Sequence, residues 1–90
     1  MLEKDIERHL VNRVKELGGI AYKFNSLSAR GVSDRIVCLP SGATWFVELK
    51  QPKGKLSALQ ELFANDMRRL NQNYACLWSK EMVDEWLKDK

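Results

Sequence analysis

GVSDRIVCLPSGATWFVELK, residues 31–50, decides the fold. Residues 35–39 (RIVCL) and 44–50 (TWFVELK) are short runs of β-branched and aromatic residues, joined by Pro40-Ser41-Gly42-Ala43. Proline presets the backbone for a turn and glycine reaches conformations closed to other residues, so the two runs are predicted to pair as an antiparallel hairpin. The second run has apolar residues on both faces, Trp45, Phe46, Val47 and Leu49, as a strand buried within a sheet does. Glu48 and Lys50 break that pattern.

Upstream, Ile6, Leu10, Val14 and Leu17 recur at helical spacing and predict a helix over residues 2–17, ended by Gly18-Gly19. Residues 20–24 read as a short strand and residues 25–33, rich in Ser and Gly, as a loop. Downstream of the turn-like residues 51–55, Ser57 is placed to cap a helix running to about residue 71. Leu59, Leu62, Phe63, Met67 and Leu70 form its apolar face. Residues 74–78 (YACLW) are a fourth strand, and residues 82–87 a closing helix with Val83, Trp86 and Leu87 turned inward. The order αβββαβα predicts an α/β fold, one domain over residues 1–90 with a mixed β-sheet flanked by helices.

Composition narrows the functional classes. A net charge of +3 suits a polyanionic partner without requiring one. Cys38 and Cys76 sit in apolar runs outside any CxxC pair, and the single His9 cannot complete a zinc set, so both read as reduced, buried thiols. No signal-peptide core is present, and no segment nears the roughly 20 apolar residues of a membrane span. An intracellular protein with no membrane partner and no organic cofactor is expected. Trp45, Trp78 and Trp86 read as core rather than as base-stacking platforms.

The chemistry gathers on the hairpin. Glu48 and Lys50 are two apart on a strand and share a face. Asp34 opens the preceding strand, so antiparallel pairing brings it beside them at one end of the sheet. Two carboxylates are hard oxygen ligands suited to Mg²⁺ or Mn²⁺, with the backbone carbonyl of Leu49 between them as a further donor. A neighbouring lysine can orient a water and stabilise charge on a phosphate under attack. The competing reading is an exposed ion pair at a strand end, which would contribute only about 0–1 kcal/mol.

GVSD at 31–34, then an apolar strand, a turn and ELK at 48–50, resembles the PD-(D/E)XK nuclease signature. The whole chain is more closely similar to the VRR-NUC (virus-type replication-repair nuclease) domain. The likeness lies in the acidic first helix, the Gly-x-x-Asp loop, the Glu-x-Lys strand and the tract KGKLSALQ at 53–60. It covers nearly the entire chain, in the manner of a stand-alone minimal member.

The resemblance implies a restriction-endonuclease-like core, with Asp34 and Glu48 as metal ligands and Lys50 as the catalytic lysine. Gln60, in the first turn of the following helix, matches the family glutamine and would orient water or phosphate. Ser33 stands where the signature carries proline, a position that shapes the loop and binds no metal. The first helix should supply one more acid. Glu3 is in phase with the apolar stripe and should point inward; Glu7 shares its face, beside the stripe, where relatives carry glutamine. Either would reach a metal-bound water or a second metal, and both also suit a solvated helix start that favours acids through its dipole.

Lys23, Arg30, Arg35, Lys53 and Lys55 cluster around the site loops and are expected to grip DNA phosphates. Small stand-alone members of the family resemble Holliday-junction resolvases, which implies a homodimer acting on a four-way junction. Leu62, Phe63, Met67 and Leu70 exceed what one sheet face needs, which makes the second long helix a candidate interface. Two alternatives stand beside it: a monomeric nuclease of flaps or duplex, and a non-catalytic nucleic-acid-binding module.

Overall fold

The computed structural model describes residues 1–90. Seven elements follow one another: α1 (Glu3–Glu16), β1 (Ile20–Lys23), β2 (Arg35–Cys38), β3 (Thr44–Leu49), α2 (Ala58–Arg69), β4 (Tyr74–Leu77) and α3 (Lys80–Leu87). The predicted order and the mixed sheet are observed. The closing helix starts two residues earlier than its apolar pattern suggests, because Ser79 caps it by accepting from the Met82 amide at 3.0 Å.

The sheet runs β1-β2-β3-β4. β1, β2 and β3 form an antiparallel meander, and β4 joins β3 in parallel. A parallel neighbour needs a crossover, and α2 supplies it. The hairpin closes through Leu39 N–H to the Ala43 carbonyl and Gly42 N–H to the Leu39 carbonyl, both at 2.9 Å.

Strand alternation divides the molecule into two apolar layers. On one face Ala21, Val37, Val47, Leu49 and Leu77 pack with Ile6, Leu10 and Val14 of α1 and with Val83 and Leu87 of α3. On the other, Phe24, Phe46 and Tyr74 meet Phe63 of α2, with ring centroids 6.0 to 6.3 Å apart. Offset and tilted rings at that spacing are favourable aromatic contacts.

The inward face of α2 is narrower than its leucines suggest. Phe63, Ala64 and Met67 turn toward the sheet, while Leu59, Leu62 and Leu70 stay exposed. Leu17, at the frayed end of α1, is also exposed. Trp45, Trp78 and Trp86 are half-buried; Trp45 and Trp86 stack edge to face under the Lys90 ammonium. Cys38 and Cys76 are free and half-buried, on β2 and β4 with β3 between them. No helix is long and apolar enough to cross a membrane.

Candidate active site

Register assembles the site. Arg35 pairs with Val47, so Asp34, one residue earlier, falls opposite Glu48. Asp34 Oδ2 accepts from the Leu49 amide at 2.8 Å, which fixes its carboxylate against the end of β3. The loop before it is held in place from both sides. Ser33 is buried and donates to the Arg35 carbonyl at 3.4 Å. Gly31, at φ 79°, lies so close to α2 that an added Cβ would come within 2.4 Å of the Leu59 carbonyl oxygen, so only glycine fits.

Glu48 is 1% exposed, on the α2 side of the sheet that carries Phe46, Tyr74 and Cys76. Gln60 donates to its Oε2 at 3.1 Å. The same Gln60 amide oxygen accepts from the Ser57 amide at 2.8 Å while Ser57 Oγ accepts from the Gln60 amide at 3.2 Å. Such a capping box satisfies two amides at the helix start, and here it also aims the Gln60 NH₂ at the buried acid. Gln60 thus caps the helix and bonds Glu48 at once.

Burial, then the charge of Asp34 and a hydrogen bond with its carboxyl, push the Glu48 carboxyl up to about 8; Lys50 pulls it back and Glu3 adds to the rise. A carboxylate buried against a second carboxylate favours a proton or a cation in its place. Burial and the neighbouring Glu48 also push the Cys76 thiol up to about 12, which leaves it protonated and unreactive.

The two first-helix acids part company. Glu7 Oε2 accepts from Arg35 Nε at 2.7 Å and from Lys23 Nζ at 2.9 Å, and Arg35 also donates to the Ala21 carbonyl at 3.0 Å. Burial by itself would raise Glu7; the bonds from Lys23 and Arg35 outweigh it and hold the carboxyl below the usual range. Lys23 and Arg35 pair in register with Val47, on the α1 side of the sheet, away from Asp34 and Glu48. Glu3, half-buried one turn earlier, is the helix acid whose charge reaches Glu48. Lys50, Arg30, Lys53 and Lys55 take no part in any ion pair.

No group of three or more His, Cys, Asp or Glu side chains stands ready to hold a metal ion. Asp34 and Glu48 offer two carboxylates, which is the set Mg²⁺ uses when waters and substrate phosphate complete its octahedron. The residues present therefore fit a hard divalent cation held in part by substrate.

No family model matches the chain. Its backbone, however, superposes on a solved VRR_NUC domain with a TM-score of 0.90, covering 96% of this chain and 94% of that one at 28% identity. The chain thus shares the VRR-NUC fold over nearly its whole length. It is also 53% identical over 58 residues to "Putative nuclease p44" of Acyrthosiphon pisum secondary endosymbiont phage 1, a stretch that is 64% of this chain and 62% of that protein. The restriction-endonuclease-like architecture implied by the resemblance is thereby observed. Sequence reasoning missed the hydrogen bond between Gln60 and Glu48 and the pairing of Glu7 with two cations, since neither has a local signature.

Proposed function

We propose that this chain, which has the VRR-NUC fold, is a Mg²⁺- or Mn²⁺-dependent DNA endonuclease that hydrolyses phosphodiester bonds. The observation that carries the reading is Glu48, buried beside Asp34 with Gln60 bonded to it and the unpaired Lys50 two residues on. Fixed carboxylates next to a phosphate backbone repel it, so pure binding has no use for them. The phage relative's name points the same way.

In this reading Asp34, Glu48 and the Leu49 carbonyl would hold the cation, which would supply a lowered pKa for a water and offset charge on the phosphate. Lys50 orients the attacking water and stabilises negative charge as it builds. Gln60 holds Glu48 in position. Glu3 is preferred to Glu7 as the first-helix acid, because Glu7 is neutralised by Lys23 and Arg35. Phosphate contacts then fall chiefly to Arg30, Lys53 and Lys55, with Lys23 and Arg35 contributing only if they leave Glu7.

The test incubates purified protein with labelled four-way, flap and linear DNA in Mg²⁺, in Mn²⁺ and in chelator. Metal-dependent cutting of at least one is expected, and Asp34→Asn or Lys50→Met should slow it by about 100-fold or more. Cutting of none would sink the proposal. A non-catalytic binding module predicts instead that both variants retain full function.

A junction-resolving homodimer is the finer reading. It is favoured by an uncovered apolar face: α2 packs against β4, and beyond it Ile20 and Tyr22 of β1 are 53% and 54% exposed on the side of the sheet that faces α2. Leu59, Leu62 and Leu70 are exposed on the same helix. A monomer in sedimentation would favour the flap or duplex nuclease instead.

A further inference from the structure

Beyond Lys50 the chain makes a turn that departs from local preference. Gly54 N–H donates to the Gln51 carbonyl at 2.8 Å, closing a four-residue turn with Pro52 second and Lys53 third. Proline in second place and a positive φ in third are the marks of a type II turn, whose third position favours glycine or asparagine. Here that place holds Lys53, at φ 68°. A lysine in the left-handed region costs free energy and persists where surrounding structure holds it.

The holding contact comes from another strand. Trp78 donates its indole N–H to the Gly54 carbonyl at 2.8 Å. Trp78 follows Leu77, whose carbonyl accepts from the Lys50 amide at 3.0 Å. Two successive residues, Leu77 at the end of β4 and Trp78 just beyond it, therefore link the strand end bearing Lys50 to the turn bearing Lys53. Lys53 and Lys55 are exposed and free of acidic partners.

We propose that Gln51–Lys55 is a preformed phosphate clip for the DNA backbone flanking the cleavage point, and that Trp78 is the positioning residue that holds it in shape. A turn shaped before binding places the Lys53 ammonium without ordering a loop at the moment of contact. The inference rests on the nuclease reading for its ligand, the phosphodiester backbone.

The experiment measures binding of a labelled four-way DNA and a labelled linear duplex to the full chain, in chelator and over a salt series. Lys53→Gly relaxes the turn while removing the charge. It should melt no lower than wild type, raise Kd at least about threefold and reduce the salt slope by about one. Trp78→Phe keeps the ring and loses the donor. It should raise KM in the cleavage assay by a similar factor with kcat within about twofold, and add little to Lys53→Gly in the double variant. Wild-type affinity and salt slope in Lys53→Gly would overturn the clip, whatever Trp78→Phe does. Wild-type KM in Trp78→Phe, or a full additive loss in the double variant, would overturn the role of Trp78. If the wild-type chain neither binds these DNAs nor cuts them in Mg²⁺ or Mn²⁺, the nuclease reading falls together with the clip.

Discussion

At the scale of single residues, Glu48 is where the fold and the chemistry pull in opposite directions. Its carboxyl titrates near 8 in the folded chain, against an ordinary value near 4.5 when unfolded. Between those two values the folded state binds the extra proton, so stability falls as pH rises through this range. In chelator, the melting temperature should therefore drop by several degrees from pH 5 to pH 8.5, and Glu48→Gln should flatten the drop. In the proposed reading Mg²⁺ would take the proton's place, so it should stabilise the wild type at pH 8.5 more than at pH 5. An equal metal effect at both values would show that Glu48 does not bind it. Glu7 has the opposite sign: its carboxyl is held low, so its contribution is present above the usual carboxylate range and is lost as pH falls into acid. Its bonds to Lys23 and Arg35 explain why helical phase could not separate it from Glu3. Phase says which way a side chain leaves its helix, and nothing about which cations another strand will bring to it.

At the scale of elements, α2 connects capping to the site. Ser57 and Gln60 form the capping box, and the Gln60 amide that completes it reaches Glu48. Ser57→Ala should cost about 1 kcal/mol in urea unfolding. It should also lower cleavage more than that loss of folded protein explains, because the Gln60 N–H loses its bond to Ser57 Oγ and the first turn that carries the Gln60 side chain loosens. A variant with lowered stability and wild-type activity per folded molecule would show that Gln60 needs no such anchor. The loop before β2 is a second case: Gly31→Ala forces a contact near 2.4 Å with the Leu59 carbonyl in a backbone conformation that alanine disfavours. It should shift the Asp34 loop and cut activity, with a cost to stability as well. Both devices had visible parts in the chain, Ser-x-x-Gln and Gly-x-x-Asp. Their distant ends, Glu48 and Leu59, were not visible.

At the scale of the whole molecule, one face of the sheet is well covered and the other is not. α1 and α3 close the first over a continuous aliphatic core, tied further by Asp84, which accepts from His9 at 2.7 Å and from Arg13 at 3.1 Å. The second face has α2 alone, and Ile20, Tyr22, Leu59, Leu62 and Leu70 remain exposed. Monomers rarely leave large contiguous apolar patches in water. Sedimentation should find a dimer, and Tyr22→Glu with Leu62→Glu should convert it to a monomer with the circular dichroism of the parent. A monomeric parent would count against paired cleavage while leaving the single site as it is.

The amino-acid sequence by itself determined the order of elements, the mixed sheet and the meeting of Asp34 with Glu48 at one end of it. Each rests on short-range periodicity: period 3.6 marks the helices, period two aligns Glu48 with Lys50, and a four-residue turn brings Asp34 back to them. Tertiary structure alone decided which cations are free, which helix acid acts on Glu48 by its charge, and how Lys53 is held. Glu7 meets Arg35 across 28 positions and Trp78 meets Gly54 across 24. Contacts at that separation depend on how the sheet and helices stack, and no local pattern along the chain records them.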